Sequence, residues 1–228
     1  MIRLILAPLL LLTGAAMAEP LRIASFNTEL SRKGPALLLR DILSGKDTQV
    51  QAVIAVLSQI DADIVALQSF DYDLENTALH AFADALAEEG PAYPHRFALR
   101  PNTGLPSGID LDGDGRLGGP GDAQGYGQFS GQGGMAILSK YPIVASDVQD
   151  FSALLWRDLP NALIPQGPGG PFPSADAVAQ QRLSTTGHWV VPVDVPGDGR
   201  ITLMTFHASP PVFDGPEDRN GKRNHDEL

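Results

Sequence analysis

Three apolar stretches of the chain, each short enough for a strand, end in polar side chains. Asn27 follows the first stretch, Asp71 lies just beyond the second, and His207 follows a late one. Catalytic groups commonly sit where strands end and loops begin. Most strands simply stop at a polar residue, so none of the three indicates function alone. Their combination makes a candidate site.

A second candidate site lies in a loop rich in aspartate and glycine. Asp110, Asp112 and Asp114 take positions one, three and five, and Gly115 takes position six, as in the first half of a calcium-binding loop. The glutamate expected at position twelve is missing, because Gly121 stands there, although Asp122 is adjacent. We favour a structural Ca²⁺, which would order a long loop in a chain without cysteine. A solvated aspartate–glycine turn is the alternative.

The elements that would position these residues follow from the spacing of apolar side chains. Strands are predicted at residues 22–26, 64–67, 134–139, 147–151, 186–193 and 200–206. Helices are predicted at residues 48–60 and 76–89, with Asn76 as N-cap, and a helical or turn segment at 217–228. Residues 101–133 and 159–175 are rich in glycine or proline and are predicted to be irregular. This order of elements predicts an α/β layered domain.

Length and charge narrow the function. A chain of 228 residues with 43% hydrophobic content can bury one sizeable core, which suits one domain better than two. The formal net charge is −11, and a field of that sign repels nucleic acid and anionic membranes at long range. This argues against tight, non-specific binding of duplex DNA. The negative charge is still compatible with a phosphoesterase, because bound cations can reverse the local field.

The first 18 residues are typical of an export signal. Arg3 precedes an apolar run at residues 4–12, and residues 16–18 form a small-x-small cleavage site, so we expect cleavage after Ala18. The run is too short to span a bilayer, and no cysteine is present to carry a lipid. We therefore expect a periplasmic or secreted protein without stable membrane insertion. A buried N-terminal strand or helix is the alternative.

Several short segments, taken in order, resemble a known family. Residues 23–27, 63–71, 134–139 and 203–207 together resemble the endonuclease/exonuclease/phosphatase superfamily, which has the fold of DNase I. Residues 210–221 and 223–227 are similar to a bacterial exported branch of it. The resemblance runs from about residue 21 to the end of the chain. Each segment is short, so the specificity lies in the ordered set.

The resemblance implies a fold and a reaction for residues 19–228. The fold would be α/β, a four-layer α/β/β/α sandwich of two mixed β-sheets flanked by helices. The reaction would be in-line attack of water on phosphorus, assisted by a divalent metal such as Mg²⁺ or Mn²⁺. Asn27 matches the family asparagine that helps to hold the metal, and His207 matches the histidine that meets the scissile phosphate. A turn-forming asparagine and a packed strand-end histidine are the alternatives.

Ser69 departs from the family pattern, which has a metal-binding glutamate at that position. A serine hydroxyl is a poor magnesium ligand beside a carboxylate. Asp71 is two residues on, so in extended backbone it would face the same side, and we expect it to bind the metal. Asp73 and Glu29 are further alternatives. Loss of the metal from the site is the opposing hypothesis.

The end of the chain is the second departure. The family places an aspartate-x-asparagine motif and a late aspartate–histidine pair beyond the histidine strand, and nothing after His207 matches them. We therefore expect an incomplete domain that lacks its C-terminal strands, with an exposed sheet edge and weak or no activity. Arg219 and Arg223 are candidates for a phosphate contact, since guanidinium matches phosphate geometry. A hydrogen-bonded loop is the alternative for this cluster.

These observations favour an exported, metal-dependent phosphoesterase. Its substrate class would be nucleic acid, a nucleotide or a lipid headgroup. The alternative is a non-catalytic family member that binds calcium or a partner, and the absence of glutamate at Ser69 is its best support. A third reading is a calcium-dependent extracellular adhesion or scaffold module. The sequence carries no signal for oligomeric state.

Overall fold

Residues 20–228 are described by a computed structural model, and they form two main β-sheets with helices packed against them. The strands are β1 Ile23–Leu30, β2 Ile64–Phe70, β3 His95–Phe97, β4 Gly134–Ser139, β5 Gln149–Asp150, β6 Gln166–Gly167, β7 Gly170–Pro171, β8 His188–Val195 and β9 Gly199–Phe206. The helices are α1 Leu37–Ser44, α2 Thr48–Ile60, α3 Thr77–Glu88, α4 Ala175–Gln180 and α5 Arg219–Glu227. The predicted signal peptide lies outside the described residues.

The first sheet has the strand order β1-β2-β4-β3. β1 runs parallel to β2, and β4 pairs antiparallel with both β2 and β3. β2 is a nearly continuous apolar run because both of its faces are covered: Val65 and Leu67 pack toward the helices, and Ile64 packs toward the second sheet. β1 lies at the edge of this sheet, and the side chains Ile23, Ser25 and Asn27 on one of its faces are exposed.

Helices α1, α2 and α3 cover the outer face of the first sheet and form the larger hydrophobic core with it. α2 begins at Asp47, whose carboxylate accepts the N–H of Val50 at 2.8 Å, as a helix N-cap does. The prediction that Asn76 caps α3 is wrong. Asn76 makes no side-chain cap bond, and the carboxylate of Asp73 accepts the N–H of Ala78 instead.

The second sheet has the order β5-β8-β9 and is antiparallel throughout. Alternate side chains of β8, including Trp189 and Val191, pack against Met135 and Ile137 of the first sheet, and this contact forms the smaller core. The predicted α/β class, with sheets flanked by helices, is confirmed. On the outer face of the second sheet Met204 is 81% exposed, so no helix of the described chain covers that position.

Some short elements escaped the sequence patterns. α1, β3 and α4 have three to eight residues, and their stability comes from tertiary packing more than from local preference. The region at residues 159–175, predicted to be irregular, holds the β6–β7 hairpin. Within residues 20–228, none of the helices has the length and apolarity needed to cross a bilayer.

Candidate active site at the open edge between the sheets

The end of β1 and the end of β9 approach each other where the two sheets meet. Asn27 pairs in register with Gln68, and Gln68 pairs with Met135, so these side chains share the face turned toward the second sheet. The hydroxyl of Thr205 lies 4.0 Å from the sulfur of Met135. His207 follows Thr205 by two residues at the end of β9, and Asn27 is exposed on β1.

His207 is half-buried, and its Nδ1 atom has no hydrogen-bond partner among residues 20–228. Burial lowers the pKa of His207, and the negative charges of Glu227 and Glu29 oppose that shift. The net direction is downward from 6.5, so the imidazole is mainly neutral at pH 7. Glu29 belongs to β1, and its charge reaches His207, which is consistent with the approach of the two strand ends.

A paired irregularity interrupts β1 and β2 beside Asn27. Glu29 and Ser69 both have φ 53°, in the left-handed region, and the strand register shifts at these positions. The hydroxyl of Thr28 donates to the carbonyl of Gln68 at 3.0 Å and contacts that of Ser69 at 3.3 Å. β1 therefore continues to Leu30 instead of ending at Asn27 as predicted. The alternation of faces is lost across the irregularity.

Asp71 lies beyond this irregularity and is buried. Its Oδ2 accepts the N–H of Arg32 at 2.8 Å, and its Oδ1 accepts the N–H of Gly133 at 2.8 Å. Burial raises the pKa of Asp71, and the two amides oppose the rise. The carboxylate thus ties the segment after β1 to the segment before β4. Because the backbone at Ser69 is not extended, the two-residue spacing no longer supports a shared face, and metal binding by Asp71 stays a prediction.

The two other carboxylates considered in place of Ser69 have different surroundings. Asp73 holds the N-terminus of α3 through Ala78, with its Oδ1 and Oδ2 at 3.1 and 3.0 Å from that amide. Glu29 is exposed, and the described residues offer its carboxylate neither a hydrogen bond nor an ion pair. Glu29 is therefore the carboxylate that remains available beside Asn27.

The acidic loop gathers a different set of aspartates from the predicted one. Oxygens of Asp110, Asp112 and Asp122 lie within 4.8 Å of one another. Asp114 is outside this group, and its carboxylate accepts the N–H of Arg116 at 2.7 Å. Asp122 is buried, and it is the third member of the group where the sequence pattern had predicted Asp114. Long-range folding of the loop, and not the alternating pattern alone, determines which oxygens converge.

Arg219 lies beside this acidic group. Burial lowers the pKa of its guanidinium, and the negative charges of Asp112, Asp214 and Asp122 oppose that shift. Its Nε atom is buried without a partner among the described residues. The predicted contact of Arg219 with a phosphate stays a prediction, and its observed neighbours are carboxylates.

Arg223 is 4% exposed and binds backbone, which is the hydrogen-bonded alternative stated for this cluster. Its guanidinium donates to carbonyl oxygens at 2.7–3.2 Å, and these belong to Leu183, Gln124, Arg182 and Ser184. Burial lowers the pKa of Arg223 to about 10, so the group remains charged at neutral pH. Its contacts join α5 to the segment before β8; the predicted phosphate contact is untested.

Glu227 was not among the predicted site residues. Its carboxylate is 4% exposed and accepts hydrogen bonds from Thr185 and Ser209. The available signal was its spacing of four residues from Arg223, which places both on one face of α5. In a helix with so few apolar residues, a shared buried face of opposite charges indicates a structural role.

A model of the endonuclease/exonuclease/phosphatase family matches residues 24–218. A solved structure of an endonuclease/exonuclease/phosphatase from Beutenbergia cavernae DSM 12333 is 19% identical, with a TM-score of 0.44. The alignment covers 84% of this chain and 38% of that one, so the chain spans well under half of that protein's length. No curated protein matches the chain.

Proposed function

Since the chain belongs to the endonuclease/exonuclease/phosphatase family, we propose that it is a metal-dependent phosphoesterase that works by in-line attack of water on phosphorus. Membership of this family supports a hydrolase of phosphoesters. The observation that carries the finer proposal is that the charge of Glu29, two residues from Asn27 in β1, acts on the half-buried His207 at the end of β9. An accessible edge lined by an amide, a carboxylate and an imidazole suits a phosphoryl group.

His207 acts on the phosphoester in this proposal. Its imidazole is neutral near pH 7 because burial lowers its pKa, so it carries one N–H and one acceptor nitrogen. The N–H donates to a phosphoryl oxygen or to the leaving oxygen as charge develops there.

The oxygen donors at this edge fit a hard divalent cation. The side-chain amide of Asn27 and the free carboxylate of Glu29 offer the oxygen ligands that Mg²⁺ and Mn²⁺ take, and Asp71 is the further predicted ligand. Bound there, the ion would supply positive charge for the phosphoryl oxygens. The Oδ1 atom of Asn27 also accepts the backbone N–H of Glu29 at 3.3 Å, a contact that orients the Asn27 amide at the bend in β1.

The proposed substrates are phosphodiesters or phosphomonoesters of nucleic acid, nucleotides or lipid headgroups. The net charge of −11 favours small substrates with few phosphate groups over long duplex DNA, because a polyanion approaches a negative surface slowly. We also propose that the protein acts in the periplasm or outside the cell, as the predicted signal peptide indicates.

Hydrolysis of bis(p-nitrophenyl) phosphate tests the proposal. We expect the purified protein to release p-nitrophenol in the presence of Mg²⁺ or Mn²⁺, and EDTA to lower the rate by about tenfold or more, since the ion supplies transition-state charge stabilisation. The rate should return when excess Mn²⁺ is added. A rate that is unaffected by EDTA would contradict metal dependence.

The Asp71→Ala variant, measured in the same assay, tests whether Asp71 is a ligand of the metal ion. If Asp71 binds the ion, the Mn²⁺ concentration that gives half-maximal rate rises in the variant. If it only holds Arg32 and Gly133, the variant is less stable and keeps its dependence on Mn²⁺. Absence of any turnover by the unaltered protein on diester and monoester substrates would favour the non-catalytic alternative, which Ser69 supports.

The acidic loop is a proposed calcium site with a structural role. Calorimetric titration with Ca²⁺ is expected to give binding heat that Asp112→Ala weakens by about tenfold, because removing a charged ligand lowers calcium affinity. The matched control is Asp114→Ala, since Asp114 lies in the same loop but outside the converging group. Equal binding by Asp112→Ala and the unaltered protein would leave the loop as a solvated turn.

A further inference from the structure

The strand pairing of β8 and β9 ends just before His207. The hairpin is closed by its turn at residues 196–198, and its register runs to the pair His188–Phe206 at the open end. Beyond that pair, β8–β9 pairing holds neither the residues before His188 nor those after Phe206. An open hairpin end frays unless other contacts hold it, because each added residue must be ordered without a ladder bond.

Glu227 closes this open end from the side of α5. Its Oε1 accepts the N–H of Thr185, on the chain entering β8. Its Oε2 accepts the hydroxyl of Thr185 at 3.0 Å, and also the N–H and the hydroxyl of Ser209 at 2.9 and 3.1 Å. Ser209 is two residues beyond His207. One buried carboxylate therefore joins both sides of the hairpin next to the histidine.

α5 is well placed to hold that carboxylate still. Asn224 donates to the carbonyl of Ser209 at 2.6 Å, so the N–H, hydroxyl and carbonyl of Ser209 all bind α5. On the same face of the helix Arg223 binds backbone carbonyls, and on another side Asp226 accepts the indole N–H of Trp156 at 2.7 Å. The helix is thus fixed independently of Glu227, and the carboxylate works from a rigid support.

We infer that Glu227 is a positioning residue, which sets the place of His207 at the end of β9 by binding Ser209 and Thr185. This inference rests on the proposed function, since it assigns the same histidine to the phosphoester. The charge of Glu227 also reaches His207, together with that of Glu29 from β1. Glu227 therefore has a geometric and an electrostatic effect on His207, and its charge also acts on His188.

The Glu227→Gln variant separates positioning from stability. We expect kcat on bis(p-nitrophenyl) phosphate to fall about 10- to 100-fold with little change in KM, as for a small misplacement of a reacting group. Removing the negative charge disfavours the imidazolium. The pKa of His207, followed by NMR titration of its ring, therefore falls, and the limb of the pH–rate profile that reports it moves to lower pH.

The matched control is Asp226→Asn, which alters the neighbouring carboxylate of α5. Asp226 binds Trp156 and Leu163, so this change is expected to lower stability while keeping kcat and the His207 titration. An unchanged kcat and titration in Glu227→Gln, or the same changes in Asp226→Asn, would overturn the inference. If Glu227→Gln does not fold, Ser209→Ala decides: a folded variant with unchanged kcat overturns it, and a lower kcat supports it.

The NMR titration needs no catalysis, so it distinguishes two kinds of failure. If the unaltered protein hydrolyses no phosphoester, the proposed function fails. A downward shift of the His207 pKa in Glu227→Gln would still support the coupling between the two residues. If hydrolysis is observed and the variant behaves as the unaltered protein does, the inference fails and the proposed function stands.

Discussion

Replacing His207 with alanine is expected to reduce phosphodiester hydrolysis by about 10²- to 10⁴-fold, the range that a positioned acid–base group contributes. His207 is the imidazole at the junction of β1 and β9, and its Nδ1 is free of protein partners among the described residues. Its loss would remove the donor to the developing charge and leave the fold in place. The measurement is kcat/KM at saturating Mn²⁺, with circular dichroism to verify folding.

The control for this prediction is His188→Ala. His188 lies at the same end of the second sheet and is also half-buried, and burial lowers its pKa too. Its ring stacks on Phe206 with centroids 4.8 Å apart, on the outer face of the sheet, away from Asn27. We expect His188→Ala to keep most of the activity. An equal loss in both variants would indicate damage to the sheet and would count against a catalytic role for His207.

Replacing Arg223 with methionine is expected to lower the free energy of unfolding by about 3–5 kcal/mol, because several buried carbonyl groups lose their donor at once. The guanidinium is 4% exposed and serves carbonyls on both the acidic loop and the segment before β8. Methionine keeps much of the volume but donates no hydrogen bond. For a domain whose total stability is about 5–15 kcal/mol, this change removes about a fifth of it or more.

Urea unfolding followed by tryptophan fluorescence measures this effect. The control is Arg157→Met, since Arg157 is 47% exposed and its ion pair is with the adjacent Asp158 at 3.6 Å. A surface change of that kind alters stability by about 0.5 kcal/mol or less. The loss of stability in Arg223→Lys should lie between those of Arg223→Met and Arg157→Met, because an ammonium group reaches fewer of the carbonyls. A midpoint for Arg223→Met equal to that of Arg157→Met would refute the structural assignment.

The elements with strong periodicity were predictable from the sequence. The helix predicted at residues 48–60 and the strand at 134–139 have the observed bounds, because their apolar spacing and their packing demand the same conformation. The position of His207 at the end of β9 followed from the same patterns, whereas β1 continues past Asn27 to Leu30. Local preference and tertiary contact agree in these segments, which is why reading the sequence succeeds there.

Other features depend on contacts between residues distant in sequence. The place of Asp71 was inferred from extended backbone, and the left-handed Ser69 removes that premise. The acidic group includes Asp122 because the loop folds back on itself. Glu227 reaches Thr185 across 42 positions and Ser209 across 18, and no local pattern reports such a pairing. Side-chain clusters that join residues far apart in the sequence are therefore seen only in the folded structure.

The two left-handed residues beside Asn27 have an energetic consequence. Glu29 and Ser69 each carry a Cβ in a conformation that glycine adopts freely, and this costs about 1–3 kcal/mol per residue. Glycine at either position would relieve the cost and form the same bend. Glu29 and Ser69 nevertheless occupy the bend, so the chain bears this cost where the register of β1 and β2 shifts.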